Sequence, residues 1–236
     1  MTTGLLVATA FLVVLAAFVQ GATGFGFALI VAPVIGLIEP HLLPVVLLVL
    51  MIPLNVYVAC RERHAIDFRG AGWITAGRVA GTAVGLWVLA AVSTGGLSLL
   101  IGGSTVLAAL VSLLAPSFVP GRGALVAVGA VTGVTETATG VGGPPLALVH
   151  QHRPAPVLRS TVAVCFVIGE VLSLGLLAAT SKVNAHQIRT ALLLLPALAV
   201  GALLSRTVHR RVDGPLMRTL VLGFAIISGI LLLVTG

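Results

Sequence analysis

Glu136 stands in the stretch Gly133-Val-Thr-Glu-Thr-Ala-Thr-Gly-Val-Gly-Gly-Pro-Pro, which ends at Pro145 inside an otherwise apolar chain. A carboxyl at that depth can carry a proton. Threonine hydroxyls can donate to an anion, and glycine lets backbone approach a ligand closely. The prolines and glycines break the helix, leaving backbone groups that no lipid can hydrogen-bond, so the stretch needs a compensating role. A second copy exists: Ala22-Thr-Gly-Phe-Gly repeats Ala138-Thr-Gly-Val-Gly at an offset of 116 residues in a chain of 236. Gln20 falls opposite Glu136, so a polar side chain precedes both breaks and an ionisable one only the second.

The matched positions Thr23, Gly24, Gly26, Thr139, Gly140, Gly142 and Gly143 are the candidate substrate-binding residues. Helices restarting after Gly26 and Gly143 would aim free N–H groups and the positive end of their dipoles at an anion. Glu136 is the candidate proton carrier; the competing reading is a neutral acid that only serves the broken backbone. Gln20, Asn55, Arg78 and Glu170 are candidates for lining the pathway, and the two deep residues Arg78 and Glu170 are expected to pair. Gly77, Gly81 and Gly85 have the Gly-x-x-x-Gly spacing that lets helices pack closely, and packing is their preferred reading.

The elements that would hold these residues are membrane helices. The chain is 58% hydrophobic and 8% charged, with mean hydropathy +1.20, whereas soluble domains carry about 25% charged residues. The apolar runs lack the period-two alternation of barrel strands. A net charge of +7 sits in short loops, where it sets topology rather than binding nucleic acid. No Lys or Arg precedes the first apolar run, so that run is expected to be retained. Cys60 and Cys165 read as small buried hydrophobes. His150 and His152, in the loop 150–159, read as surface residues, and no metal or other cofactor is implied. No Walker-type motif supports ATP drive.

Residues 4–20 and 27–38 read as a re-entrant hairpin of two half-length helices or as a pair of thin tilted spans, and 124–134 and 141–149 as its repeat. Full spans are expected at 42–60, 71–92 and 97–114, then at 160–180, 190–205 and 219–235. Pro40 matches Pro156, Ile66-Asp67 matches Val183-Asn184, and Gly81 matches Gly201. The fold class expected is therefore an all-α integral membrane protein of two inverted repeats, residues 1–118 and 119–236, each a broken, re-entrant hairpin plus three transmembrane helices. With that arrangement the loops 61–69, 115–123, 150–159 and 206–218 share one side and hold ten of the thirteen Lys and Arg. That side is then cytoplasmic, with both termini outside.

Inverted repeats with interrupted helices are the usual build of secondary transporters, which bind substrate where the breaks meet. The breaks Gly24-Phe-Gly26 and Thr139-Gly-Val-Gly-Gly-Pro-Pro145, the Ile66-Asp67 loop and the paired halves resemble the sulfite exporter TauE/SafE family over nearly the whole chain. The first break departs from the family's glycine run at Phe25 and Phe27. The resemblance implies a bacterial inner-membrane, multi-pass protein that moves sulfite, sulfoacetate or a related sulfonate. Proton-coupled export through Glu136 is the expectation, with a passive anion channel as the alternative. A membrane enzyme finds no catalytic set here, and a scaffold would leave two polar breaks unexplained. The partners expected are a small anion and the lipid bilayer; the oligomeric state is open, homo-oligomers included.

Overall fold

A computed structural model of the chain describes residues 3–114, 120–150, 153–208 and 215–235. Ten α-helices account for nearly all of them: α1 (Thr3–Thr23), α2 (Phe27–Ile38), α3 (Val45–Arg61), α4 (Phe68–Ala91), α5 (Thr94–Leu114), α6 (Arg122–Thr139), α7 (Gly143–His150), α8 (Ala155–Ala179), α9 (Ala185–Val208) and α10 (Pro215–Thr235). No strand occurs among the described residues. Five helices, α1, α4, α5, α8 and α9, are long and apolar enough to cross a bilayer. Phe11, Trp87, Leu114, Ile227 and Val234 point outward and are mostly exposed, a liability in water and the normal state of a lipid-facing surface. The chain is an all-α, multi-pass membrane protein.

The arms are unequal, one long (of span length in α1) and one short, where two half-length helices or a pair of thin tilted spans were expected. α1 runs through Gln20–Thr23 and reaches 21 residues; α6 runs through Glu136 and reaches 18. Their return arms have only 12 and 8. Polar residues do not end these helices, because Thr23 Oγ1 donates to Val19 O (3.0 Å) and Thr139 Oγ1 to Thr135 O (2.7 Å), within the helix itself. The ends come only where glycine takes positive φ, at Gly24 (90°) and Gly140 (81°). α3, at 17 residues, is shorter than the span expected over 42–60. Pro40 starts a 3₁₀ turn over Pro40–Leu42, and the helix does not begin until Val45. α10, expected over 219–235, runs over 21 residues. Cys165 is buried as expected, whereas Cys60 is exposed.

Helices pair across the middle of the chain in a pattern that recurs when the halves are exchanged. α4 packs on α6 and α9 on α1; α2 packs on α10 and α7 on α5; α3 meets α8, and α5 meets α10. The α4–α6 contact is a seam of small residues. Gly77 and Gly81 lie against the backbone of Val126 and Ala130, while Gly129 and Gly133 lie against that of Ile74 and Arg78. Gly201 of α9 lies against Val14 of α1, and Val14 stands 116 positions before Ala130. Glycine here removes the Cβ that would hold two helix backbones apart.

Cross-loop contacts sort the ends of the bundle. Arg153 reaches Asp67 (3.7 Å), Arg122 stacks over Trp73 near the start of α4 (5.6 Å), and Arg61 donates to Ser205 Oγ near the end of α9 (3.3 Å), which brings three arginine-bearing loops to the end of the bundle where α9 leads into the fourth. At the other end His186 meets Glu39 (2.9 Å) and Gln187 donates to His41 O (2.8 Å). The expected boundary at 118/119, His152, and Arg210 and Arg211 of the basic loop lie outside the described residues.

Candidate functional site

The first break follows from two left-handed glycines, Gly24 and Gly26 (φ 118°), on either side of Phe25. Gln20, in the last turn of α1, fills the gap they leave. Its Oε1 accepts from the N–H of Phe27 (3.1 Å), the first residue of α2, and its Nε2 donates to Asn55 Oδ1 (2.9 Å). The helix start expected to face an anion is thus capped by the chain's own amide. Thr23 Oγ1 is within bonding distance of Phe25 O (2.6 Å) as well as Val19 O, so its proton is committed to backbone in this state.

The second break is built likewise but charged. The N–H of Gly140 closes α6 on Glu136 O (2.8 Å). Thr139 Oγ1, besides its bond to Thr135 O, accepts from Ser104 Oγ and from the N–H of Val141 (3.3 Å each). The carboxylate of Glu136 lies against Gly142, where an added Cβ would sit 2.6 Å from Oε2. Gln20 and Glu136, matched in the repeat, therefore both turn toward the start of the return helix. The breaks also meet: a Cβ on Gly143 would lie 3.4 Å from that of Phe25 and 3.8 Å from Phe166 Cζ.

Beneath the breaks, side chains from both halves form a buried polar cluster. Arg78 of α4 pairs with Glu136 of α6, both fully buried. Asn55 Nδ2 of α3 donates to Glu170 Oε1 of α8 (2.8 Å), which extends the link from Gln20 through Asn55 to Glu170. The expected Arg78–Glu170 pair is replaced by these two. The reason is the α4–α6 seam, whose glycines bring Arg78 directly against α6, while its guanidinium rests on Gly169 of α8. Arg78 Nε and Nη1, Glu136 Oε1, Glu170 Oε2 and the hydroxyl of Thr132 have no hydrogen-bonding partner in the protein. Buried polar atoms are paired in the great majority of cases, which makes this group the candidate site.

A second cluster, read in the sequence only as loop charge, lies at the end of α1. Arg61 Nη2 donates to Gly21 O (2.6 Å) and Arg159 Nη1 to Ala22 O (3.4 Å), so two cations satisfy carbonyls that a broken helix leaves exposed. Glu62 holds Arg159 through Nε (3.0 and 3.1 Å) and Nη2 (2.8 Å). The only signal in the sequence was the break itself, which creates carbonyls in need of donors. Glu62→Gln is expected to lower stability by about 2 kcal/mol, since it weakens charge-assisted bonds in a largely buried setting; equilibrium unfolding in SDS-containing mixed micelles would measure it. His150, expected at the surface, is instead buried at the end of α7, with Nδ1 3.0 Å from Leu146 O.

The model of the family described as "Sulfite exporter TauE/SafE" matches residues 9–232. No curated protein and no solved structure matches the chain.

Proposed function

We propose that this chain, which belongs to the sulfite exporter TauE/SafE family, moves a small anion such as sulfite, sulfoacetate or a related sulfonate across the bacterial inner membrane. The site lies between the two glycine breaks, and movement is proton-coupled through Glu136, with export as the working direction. The observation that carries this reading is the buried cluster of Gln20, Asn55, Arg78, Glu136 and Glu170, assembled from both halves of the chain where the breaks approach each other. Ionisable residues at membrane depth are expensive and mark ion and proton pathways.

Two inverted repeats, residues 1–118 and 119–236, account for the exchange of helix pairings. Supporting inversion, α1 ends beside Arg61 and Arg159 at the arginine-bearing end, whereas α6 begins there, with Arg122 over Trp73. Positive-inside counting makes that end cytoplasmic. Phe25 is buried beside the start of the second return helix, at Gly143.

Uptake of radiolabelled sulfite and sulfoacetate into proteoliposomes tests the reading. A pH gradient is expected to change the initial rate at least fivefold for the unmodified protein and to have no effect on Glu136→Gln. Flux indifferent to the gradient in both proteins would establish a passive channel instead.

A further inference from the structure

Arg78 offers more than its ion pair uses. One nitrogen, Nη2, engages Glu136 Oε2, while Nε and Nη1 are buried donors without partners. Three contacts fix the group: α4 is pressed on α6 by Gly81 and Gly133, the guanidinium rests on Gly169, and the Glu136 carboxylate lies between it and Gly142 at the start of α7. The carboxylate thus occupies the place where a helix N-terminus and a fully buried cation together favour a negative charge. Thr132, one turn before Glu136, adds a buried hydroxyl with no partner.

We infer that Arg78 is the ligand of the transported oxyanion and that the Glu136 carboxylate is a tethered stand-in for it, so that anion and proton bind together. This rests on the transport reading above. The step is an exchange of partners. A proton from water attaches to Glu136 Oε2, the charge holding Arg78 is lost, and an anion oxygen takes its place on the guanidinium. On release the proton returns to water and Glu136 closes on Arg78 again. Among the described residues, the other ionisable groups near the pair are Glu170 and Cys165 of α8. Glu170 is bonded to Asn55 and to no cation. α4 and α6 otherwise carry only Arg69 and Arg122, near their starts, and α7 only His150, at its far end.

The sign of coupling follows. Anion and proton travel in the same direction, so export runs on the anion's own outward gradient and carries protons out with it. An acidic exterior would drive the anion inward.

Sulfoacetate is the probe, because it carries no exchangeable proton of its own near neutral pH. With an inward sulfoacetate gradient and a pH dye in the lumen of proteoliposomes, the lumen is expected to acidify as the anion enters. Glu136→Gln should bind sulfoacetate equally at pH 6 and pH 8, read as a thermal shift in detergent, and show no lumenal acidification. Arg78→Gln made in the Glu136→Gln background leaves no unpaired partner charge in the ion pair, and is expected to weaken sulfoacetate binding at least a hundredfold, with Arg78→Lys in that background recovering part of it. Anion entry that alkalinises the lumen, or that moves no protons, overturns the inference while leaving a transporter. Unchanged affinity in the double variant overturns it too. A wild-type protein with neither flux of sulfite or sulfoacetate nor a thermal shift from either removes the transport reading, and this one with it.

Discussion

A Gly142→Val variant is expected to insert and fold but to carry sulfoacetate at less than about a hundredth of the wild-type rate, a barrier change of roughly 2.7 kcal/mol. Gly142 does not share the positive φ of Gly24, Gly26 and Gly140, so a side chain there meets no left-handed strain. The obstruction is specific. A Cβ would sit 2.6 Å from Glu136 Oε2, 2.9 Å from Thr132 Cγ2 and 3.1 Å from Glu136 Cβ. The carboxylate must then leave the start of α7, and the remaining valine methyls fill the space an anion would enter. Gly140→Ala is the contrasting case. At φ 81° it strains the backbone itself, costing about 1–2 kcal/mol, and should lower stability as well as flux. Initial uptake rates at matched amounts of monodisperse protein would separate the two. A Gly142→Val rate within twofold of wild type would take the Glu136–Gly142 contact out of the mechanism.

The helices and the two breaks were readable because both are local. Apolar runs report helices, and a Thr-Gly-x-Gly pair repeated at a fixed offset reports a common architecture. Helix ends were misplaced at Gln20–Thr23 and Thr135–Thr139, where polarity suggested a break earlier than the glycines make one. Threonine in a lipid-embedded helix can satisfy itself on the carbonyl one turn back, so its presence says little about termination. The five residues of the buried cluster were each visible as polar groups at depth, but not their pairing. Arg78 and Glu136 are 58 positions apart, and Asn55 and Glu170 are 115 apart; no periodicity relates them. Arg61 and Arg159 were legible as topology-setting charge, and their hold on the last carbonyls of α1 depends on how α3 and α8 lean against it. The repeat equated Gln20 with Glu136 but could not show that both side chains turn back on the break they precede.

Gly81→Leu is expected to abolish recovery of folded protein, whereas Gly72→Leu on the same helix leaves it near wild-type levels. At Gly81 a Cβ would overlap Ala130 O and lie 2.9 Å from the Ala130 carbonyl carbon, atoms of a helix backbone that cannot rotate aside. A Cβ added at Gly72 would meet nothing within 4 Å beyond its own helix backbone. Without a hydrophobic driving force between helices in lipid, close van der Waals contact along small-residue seams supplies much of the association. Forcing α4 and α6 apart forfeits those contacts along the whole Gly77–Gly85 and Gly129–Gly133 seam, and overpacking alone typically costs about 1–3 kcal/mol before they are counted. The same separation draws Arg78 away from Glu136 and leaves two buried charges without compensation, about 3–5 kcal/mol more. The seam and the ion pair thus depend on one geometry. Yield of monodisperse protein by fluorescence-detected size exclusion would test this, with Gly72→Leu as the control for added bulk. Folded Gly81→Leu protein at wild-type yield would show that α4 and α6 are held by something other than their backbone contact.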